Sequence, residues 1–407
     1  MKLIDKKLFT EQPDKTTGVI SWASYCNNSG DIMKYSTYTS SSDAFKDSTI
    51  QYSIDGGKTF SKPIFDKTRW QVEEGMMTRY FKLTAIDSRT NRHYMFYNQG
   101  LLPGDSPEDG LKNWQMYYRM SEDGGRTYEI EKPVVLTGKY DEFHPIKDVW
   151  RGKNSFMVGD RPCEPIVRDD GTILMAVQCT MIDENGEICN PGGGYTYQYS
   201  ILLHGRFLEN GEIDWFDISN RVEGDPLKST RGALEPSIME MSDGRILMIC
   251  RGSNGGPKDP DHKIPGYRWY SISEDGGFTF ASPKPWMYTN GEKFYSPSSC
   301  SQIFKHSNDK YYWIGNICKE NSRANMPRNP LCIVQIDEES LMLKKETKYD
   351  FLKRESHQYH DTTFSNFYAR EETETGDILI YCSAFWQTPE NTYLNTSSYE
   401  YRLTLMG

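Results

Sequence analysis

No two of the nine cysteines in this 407-residue chain stand at Cys-x-x-Cys spacing. Neither a zinc site nor a disulfide framework is signalled, and a reducing, cytoplasmic compartment is the expectation. The seven histidines show no metal-ligand spacing, so the sequence predicts no metal. Gly192–Gly194 follow a proline but lead into neither a helix nor a Lys-Ser/Thr pair, which makes them a loop rather than a phosphate cradle; no cofactor is predicted. The opening MKLIDKKLFTEQPDK lacks the apolar centre of a signal peptide. No apolar run reaches membrane-spanning length. Positive charge is also short, with 47 Lys and Arg against 57 Asp and Glu and a net charge of −10. That balance argues against nucleic acid or an anionic membrane as the main partner, but a local arginine cluster could still hold an anionic small molecule. Finally, no Ala/Leu/Glu/Lys-rich segment keeps a helical period over four turns.

What the chain has is aromatic residues, 13% of the total, and short alternating segments, both of which favour strands. The stretch from Arg231 to Arg251 reads as a hairpin turning at Asp243-Gly244. Comparable units centre on Asn28-Ser29-Gly30, Thr90-Asn91, Asp169-Asp170-Gly171, Asn308-Asp309 and Thr375-Gly376. Self-similarity at a period of roughly 60 to 80 residues means a repeat architecture, and four-stranded blades set radially fit best. The expectation is one all-β domain over 1–407, a six-bladed β-propeller of antiparallel four-stranded blades. The segments 199–218 supply outer strands of blade three and 330–347 those of blade five. Tyr399 to Leu405 forms the third strand of blade six, and Lys6 to Thr10 completes that sheet, so strands from both termini close the ring.

A second repeat runs through the first. SIDGGKTF (53–60), SEDGGRTY (121–128) and SEDGGFTF (273–280) share one pattern. The Asp carboxylate accepts backbone N–H groups across a tight turn, and glycine supplies the left-handed position. These are Asp-box (BNR) repeats, and through them the chain resembles the sialidase-like six-bladed propellers. In that family the box joins the third and fourth strands of a blade and is structural, which leaves Asp55, Asp123 and Asp275 without a catalytic role.

In a propeller the innermost strands begin around one axial pocket. Glu235 starts blade four and Glu164, in the same Glu-Pro context, starts blade three. Two such carboxylates could act as a glycosidase pair, with Arg161 and Arg231 nearby to hold one ionised; the plainer alternative is a pair of rim salt bridges. The resemblance sharpens this. ALEPSIMEMSDGRILMICR is similar to the sialidase segment carrying the pocket Glu and an Arg of the carboxylate-binding triad, matched by Glu235 and Arg251. Arg328 resembles the triad Arg before the third strand of blade five, and Asp43 is placed like the family's acid/base Asp, with Asp47 a lesser substitute. The first triad Arg is absent, GVISWAS standing in its place, with Arg79 a possible replacement. Phe364 occupies the expected nucleophilic Tyr position, leaving Tyr359 and Tyr368 nearby. Paired Glu residues without a triad look more like the exo-arabinanases of the same propeller. His360 and Asp361 could join the pocket, and Trp22, Trp70 and Trp269 could stack on sugars.

The expected function is an exo-acting glycoside hydrolase removing a terminal sugar from oligosaccharides. Glu235 and Glu164 would be acid/base and nucleophile, or Asp43 the acid with Glu235 polarising Tyr359. Arg251 and Arg328 would bind an acidic or polyhydroxylated sugar. The alternatives are a lyase on uronic-acid glycosides, with His360 or a Tyr abstracting a proton, and a non-catalytic glycan-binding propeller. The sequence does not reveal the oligomeric state.

Overall fold

Each of the six turn signals sits at the tip of an antiparallel hairpin in the computed structural model, which describes residues 1–41, 44–389 and 393–405. Strands gather into six sheets, the blades of a β-propeller, and helix is confined to single short turns such as Gly110–Asn113. Blade one runs outward through Gly18–Tyr25, Ile32–Ser41, Ala44–Ser53 and Ile64–Asp66. Blade four runs through Leu234–Glu240, Ile246–Arg251, Arg268–Ser273 and Lys284–Pro285. Blade two carries an additional strand, Arg69–Val72, against the start of its inner strand Gly75–Asp87. Among the described residues no helix is long and apolar enough to cross a membrane.

Two expectations about strands need correction. In blade five the third strand is Leu331–Ile336 and the fourth is Tyr349–Leu352. The segment LMLKKET therefore lies mostly in the connection between them, where Leu341 and Leu343 are buried and Leu343 makes only isolated bridges to Ile336 and Tyr288. In blade three the inner edge is not one strand. Phe156–Met157 and Ile166–Val167 each pair with Thr172–Thr180, and residues 158–165 run between them across the hub.

The ring closes as expected, and more extensively. Lys2–Thr10 pairs antiparallel with Ser398–Thr404, Lys6 opposite Tyr401, as the outer strand of blade six. The core lies between adjacent blades. Phe96, Val177 and Trp215 fill the gap between blades two and three, and Ile249, Trp313 and Val334 that between blades four and five. Trp22 and Trp269 are buried in these contacts, at 4% and 3% exposure, so neither offers a face to a sugar.

The three Ser-x-Asp-Gly-Gly turns join the third and fourth strands of blades one, two and four. In the last, Asp275 accepts from the Thr279 backbone at 2.9 Å, the Thr279 hydroxyl at 2.6 Å and Ser273 at 2.8 Å. Gly276 and Gly277 sit at φ 76° and 101°, which a β-carbon would strain. The Thr279 hydroxyl leads the hydrogen bonds that hold the Asp275 carboxyl at about 2. The stability this gives is complete above the ordinary Asp value and is lost as the pH falls toward 2. Asp275→Ala should lower the melting temperature at neutral pH and leave ligand binding at the hub unchanged; a melt and a binding titration on the same sample check both.

Candidate active site

Glu235 owes its position to a bulge. Leu234 pairs with Arg251 and Ser237 with Ile249, so Glu235 and Pro236 together face one residue, Cys250. The extra residue leaves Glu235 at φ 45°, a left-handed conformation rare outside glycine, and turns its side chain toward the axis. Its N–H donates to Gln178 Oε1 at 2.6 Å. Gly159 packs so closely that a β-carbon there would come within 2.7 Å of the Glu235 Cα. Blade six repeats the device. Asn366 and Phe367 face a single residue between the pairs Ser365–Ser383 and Tyr368–Tyr381, and Asn366 stands at φ 55°.

Both bulges aim into one cleft of about 520 Å³ at the hub, large enough for one or two sugar rings. Among the described residues its lining includes Arg231, Arg251, Arg323 and Arg328 against two carboxylates, Asp160 and Glu235. In a chain of net charge −10, that local excess of positive charge selects for anions. Arg251 Nη1 donates to Glu235 Oε1, while its Nε reaches Ser298 Oγ at 2.6 Å and its Nη2 Asn325 Oδ1 at 3.1 Å. Arg328 donates to Ser365 Oγ and to the Ser298 carbonyl, each at 2.9 Å, and to the Asn325 carbonyl at 3.1 Å. The two guanidiniums thus share Ser298 and Asn325 and are fixed before any ligand arrives. Arg231 holds Thr196 Oγ1 at 2.9 Å and lies over the Tyr195 ring at 5.6 Å.

The electrostatics assign Glu235 a charge state. Burial works to raise its carboxyl, but the charge and hydrogen bond of Arg251, aided by Arg328 and Arg231, outweigh it and hold the group at about 2. Glu235 is therefore an anion across the physiological range and is unsuited to donating a proton. Its Oε2 is buried without a hydrogen-bond partner among the described residues. Burial, and then the charge of Arg251, push the Arg328 guanidinium below its usual value.

Glu164 is not in this cleft. The chain between the two pieces of blade three's inner edge delivers Asp160 to the cleft instead, and Glu164 turns along the axis. There Tyr368 donates to its Oε1 at 2.8 Å, Gln302 to its Oε2 at 3.1 Å, and Arg161 Nη1 lies 3.5 Å away. The expected pairing of Glu164 with Glu235 thus gives way to Asp160 with Glu235, Asp160 being fixed by Asn366 Nδ2 at 2.8 Å. Arg161 lies against the rings of Trp22, at 4.1 Å, and Tyr368, at 3.7 Å, which cross at 69°.

Arg79 is committed to Gln99 and Glu131, away from the cleft. Trp70 lies 5.5 Å from the Arg79 guanidinium and likewise lines no part of it. The Tyr359 and His360 rings lie 4.1 Å apart, tilted at 57°, and the His360 side chain is 68% exposed beside Asp361. Neither belongs to the lining, because the connection leading to blade six holds them outside the hub. Phe364 is buried in the core. Asp43 lies outside the described residues. Among the described residues the tyrosines that line the cleft are Tyr80, Tyr195 and Tyr393, and no hydrogen bond joins them to Glu235. Asp160 and Asn366 carried no sequence signal beyond the tolerance of Asn for left-handed backbone. Among the described residues no cluster of three His, Cys, Asp or Glu side chains could hold a metal ion.

Because Glu164 and Tyr368 tie blades three and six together below the cleft, Tyr368→Phe should destabilise the protein by about 1 kcal/mol, the cost of a half-buried carboxylate losing one donor. A urea titration reads it. Ligand affinity at the cleft should be unchanged.

The six blades make the fold a sialidase-like β-propeller. No family model and no curated protein sequence matches the chain. Among solved structures it is similar to the NanB sialidase of Streptococcus pneumoniae, with TM-score 0.62 and 13% identity over 98% of this chain and 71% of that one. It is similar also to the leech intramolecular trans-sialidase, with TM-score 0.59 and 13% identity over 97% and 69%. A Dyadobacter fermentans protein of unknown function matches over 99% of both chains, with TM-score 0.61 and 12% identity.

Proposed function

We propose that the protein is an exo-acting glycoside hydrolase that takes a terminal acidic sugar into the hub cleft. The observation that carries this is the paired Arg251 and Arg328, prefixed through Ser298 and Asn325 beside an ionised Glu235. Two guanidiniums with in-plane donors suit a carboxylate. Glu235, being anionic, suits stabilisation of the positive charge that grows on a sugar ring as its glycosidic bond breaks. The proton for the leaving oxygen then falls to Asp160, which lines the same cleft, or to Asp43. The solved sialidases of similar fold support a glycan as ligand.

A second reading, a glycan-binding propeller without turnover, is favoured by one observation. Among the described residues no tyrosine hydroxyl meets Glu235, so the cleft has no evident phenol nucleophile. A panel of umbelliferyl glycosides separates the readings. Release of fluorophore from sialosides or uronosides, and not from neutral arabinosides, is the expected result. Binding of acidic glycans with no release would establish the second reading. A product absorbing in the near ultraviolet would show elimination instead.

A further inference from the structure

Blade three meets the cleft with two amides. Gln178 lies near the end of Thr172–Thr180, and Gln198 opens the next strand, Gln198–Phe207. Gln178 pairs with Ser200 and Thr180 with Gln198, so the two glutamines are diagonal neighbours on one face of the sheet, about 7–8 Å apart. That face is turned to blade four, where Ser200 Oγ donates to the Ala233 carbonyl at 2.9 Å. Both side chains line the cleft, although Gln178 is only 6% exposed and Gln198 3%.

A buried amide has no charge to shed and is satisfied only by partners. Gln178 Oε1 accepts from the Glu235 N–H at 2.6 Å, which fixes the orientation of the amide. The Nε2 group beside it carries two donor hydrogens and makes no hydrogen bond among the described residues. It stays open to water, whereas both amide atoms of Gln115 are sealed in without a partner. Gln198 donates from Nε2 to Thr180 Oγ1 at 3.5 Å, and its Oε1, unpartnered among the described residues, is open in the same way. The wall beside Glu235 thus presents one uncharged donor and one uncharged acceptor.

We propose that Gln178 and Gln198 form a neutral subsite for a hydroxyl of the bound sugar, and that Gln178 joins this subsite to the reacting centre. A hydroxyl both donates and accepts, so a single one answers Nε2 and Oε1 together. Glu235 stands between the amides and the arginines, with its N–H on Gln178 and its carboxylate on Arg251. A ring that meets both groups is laid across that carboxylate. The sugar as ligand rests on the proposed function, and the subsite narrows its class to acidic sugars with a free hydroxyl on the side away from their own carboxylate. In a hexuronic acid the ring carbon opposite the carboxylate-bearing one is C2, which carries a hydroxyl.

Calorimetric titration of the full chain with methyl β-D-glucuronide and its 2-deoxy counterpart tests the assignment. The 2-deoxy sugar should bind about tenfold more weakly, the worth of one hydrogen bond to a buried amide. Gln198→Met should weaken the glucuronide to the same level and leave the 2-deoxy sugar where it was. An equal loss for both sugars, equal binding of both by the wild type, or no binding of either would overturn the proposal. Should Gln198→Met fail to fold, glycerol soaked into wild-type crystals decides: a hydroxyl within hydrogen-bond distance of Gln178 Nε2 and Gln198 Oε1 supports the subsite, and water alone there refutes it. Gln178→Met carries a second signature. On an aryl glucuronide it should lower kcat as well as raise KM, because Glu235 loses the acceptor that holds its bulge; a rise in KM alone would overturn the link to the reacting centre. Hydroxyl-dependent binding without turnover would refute the proposed hydrolase and leave the subsite. Turnover indifferent to the C2 hydroxyl would refute the subsite and leave the hydrolase.

Discussion

Arg251→Met is expected to destabilise the protein by about 3–5 kcal/mol at neutral pH, because it leaves the Glu235 carboxylate buried without its counter-ion. The pH dependence identifies the cause. In the wild type the Glu235 carboxyl is lowered, so its contribution is complete above the ordinary Glu value and is lost as the pH falls toward 2. In the variant the largest opposing influence is removed and burial raises the same group, which then sheds its charge more readily. The gap between the two proteins should therefore be widest near neutrality and should narrow on acidification. Urea midpoints measured from pH 7 to pH 3 give the answer, and a gap constant over that range would mean that lost packing, not a stranded charge, is responsible.

Glu235→Gln should separate chemistry from architecture. The amide still accepts a hydrogen bond from Arg251, and the blade-four bulge is backbone, so the fold should survive. What disappears is the negative charge facing the reacting sugar. If the hydrolase reading holds, kcat should fall by about 10²–10³, the scale set by loss of one preorganised electrostatic group. KM should change little, since Arg251 and Arg328 keep their positions. Steady-state kinetics on an acidic aryl glycoside measure both. A rise in KM at constant kcat would reduce Glu235 to a residue that positions Arg251.

The blades were legible because their information is local. Alternation of two, turn residues at the hairpin tips and three Ser-x-Asp-Gly-Gly turns are each written within a dozen residues. Pairing of Lys2–Thr10 with Ser398–Thr404 followed from counting strands in blade six. Glu235 and Arg251 stood out because they flank strands at the hub, and Arg328 through the resemblance to the sialidase-like propellers. The rest of the cleft depends on irregularities that alternation hides. One extra residue in a strand redirects everything after it, and neither Glu-Pro-Ser nor Ser-Asn-Phe announces a bulge. The split inner edge of blade three exchanged Glu164 for Asp160 at the cleft, although the two are four residues apart. Tyr359 and His360 lie close in sequence to a hub strand, yet the connection before that strand is long enough to hold them outside.

The seam in blade six also sets a schedule for biosynthesis. Lys2–Thr10 leaves the ribosome well before its partner Ser398–Thr404 is made. At roughly 5–20 residues per second, translation of the intervening blades takes on the order of 20–80 s. Throughout that interval the leading strand lacks its native ladder partner. Asn366 and Arg328, both of which the cleft requires, also emerge late. The nascent protein therefore acquires its binding centre only as the circle is completed, and any factor that shields the waiting strand would govern the yield of competent molecules.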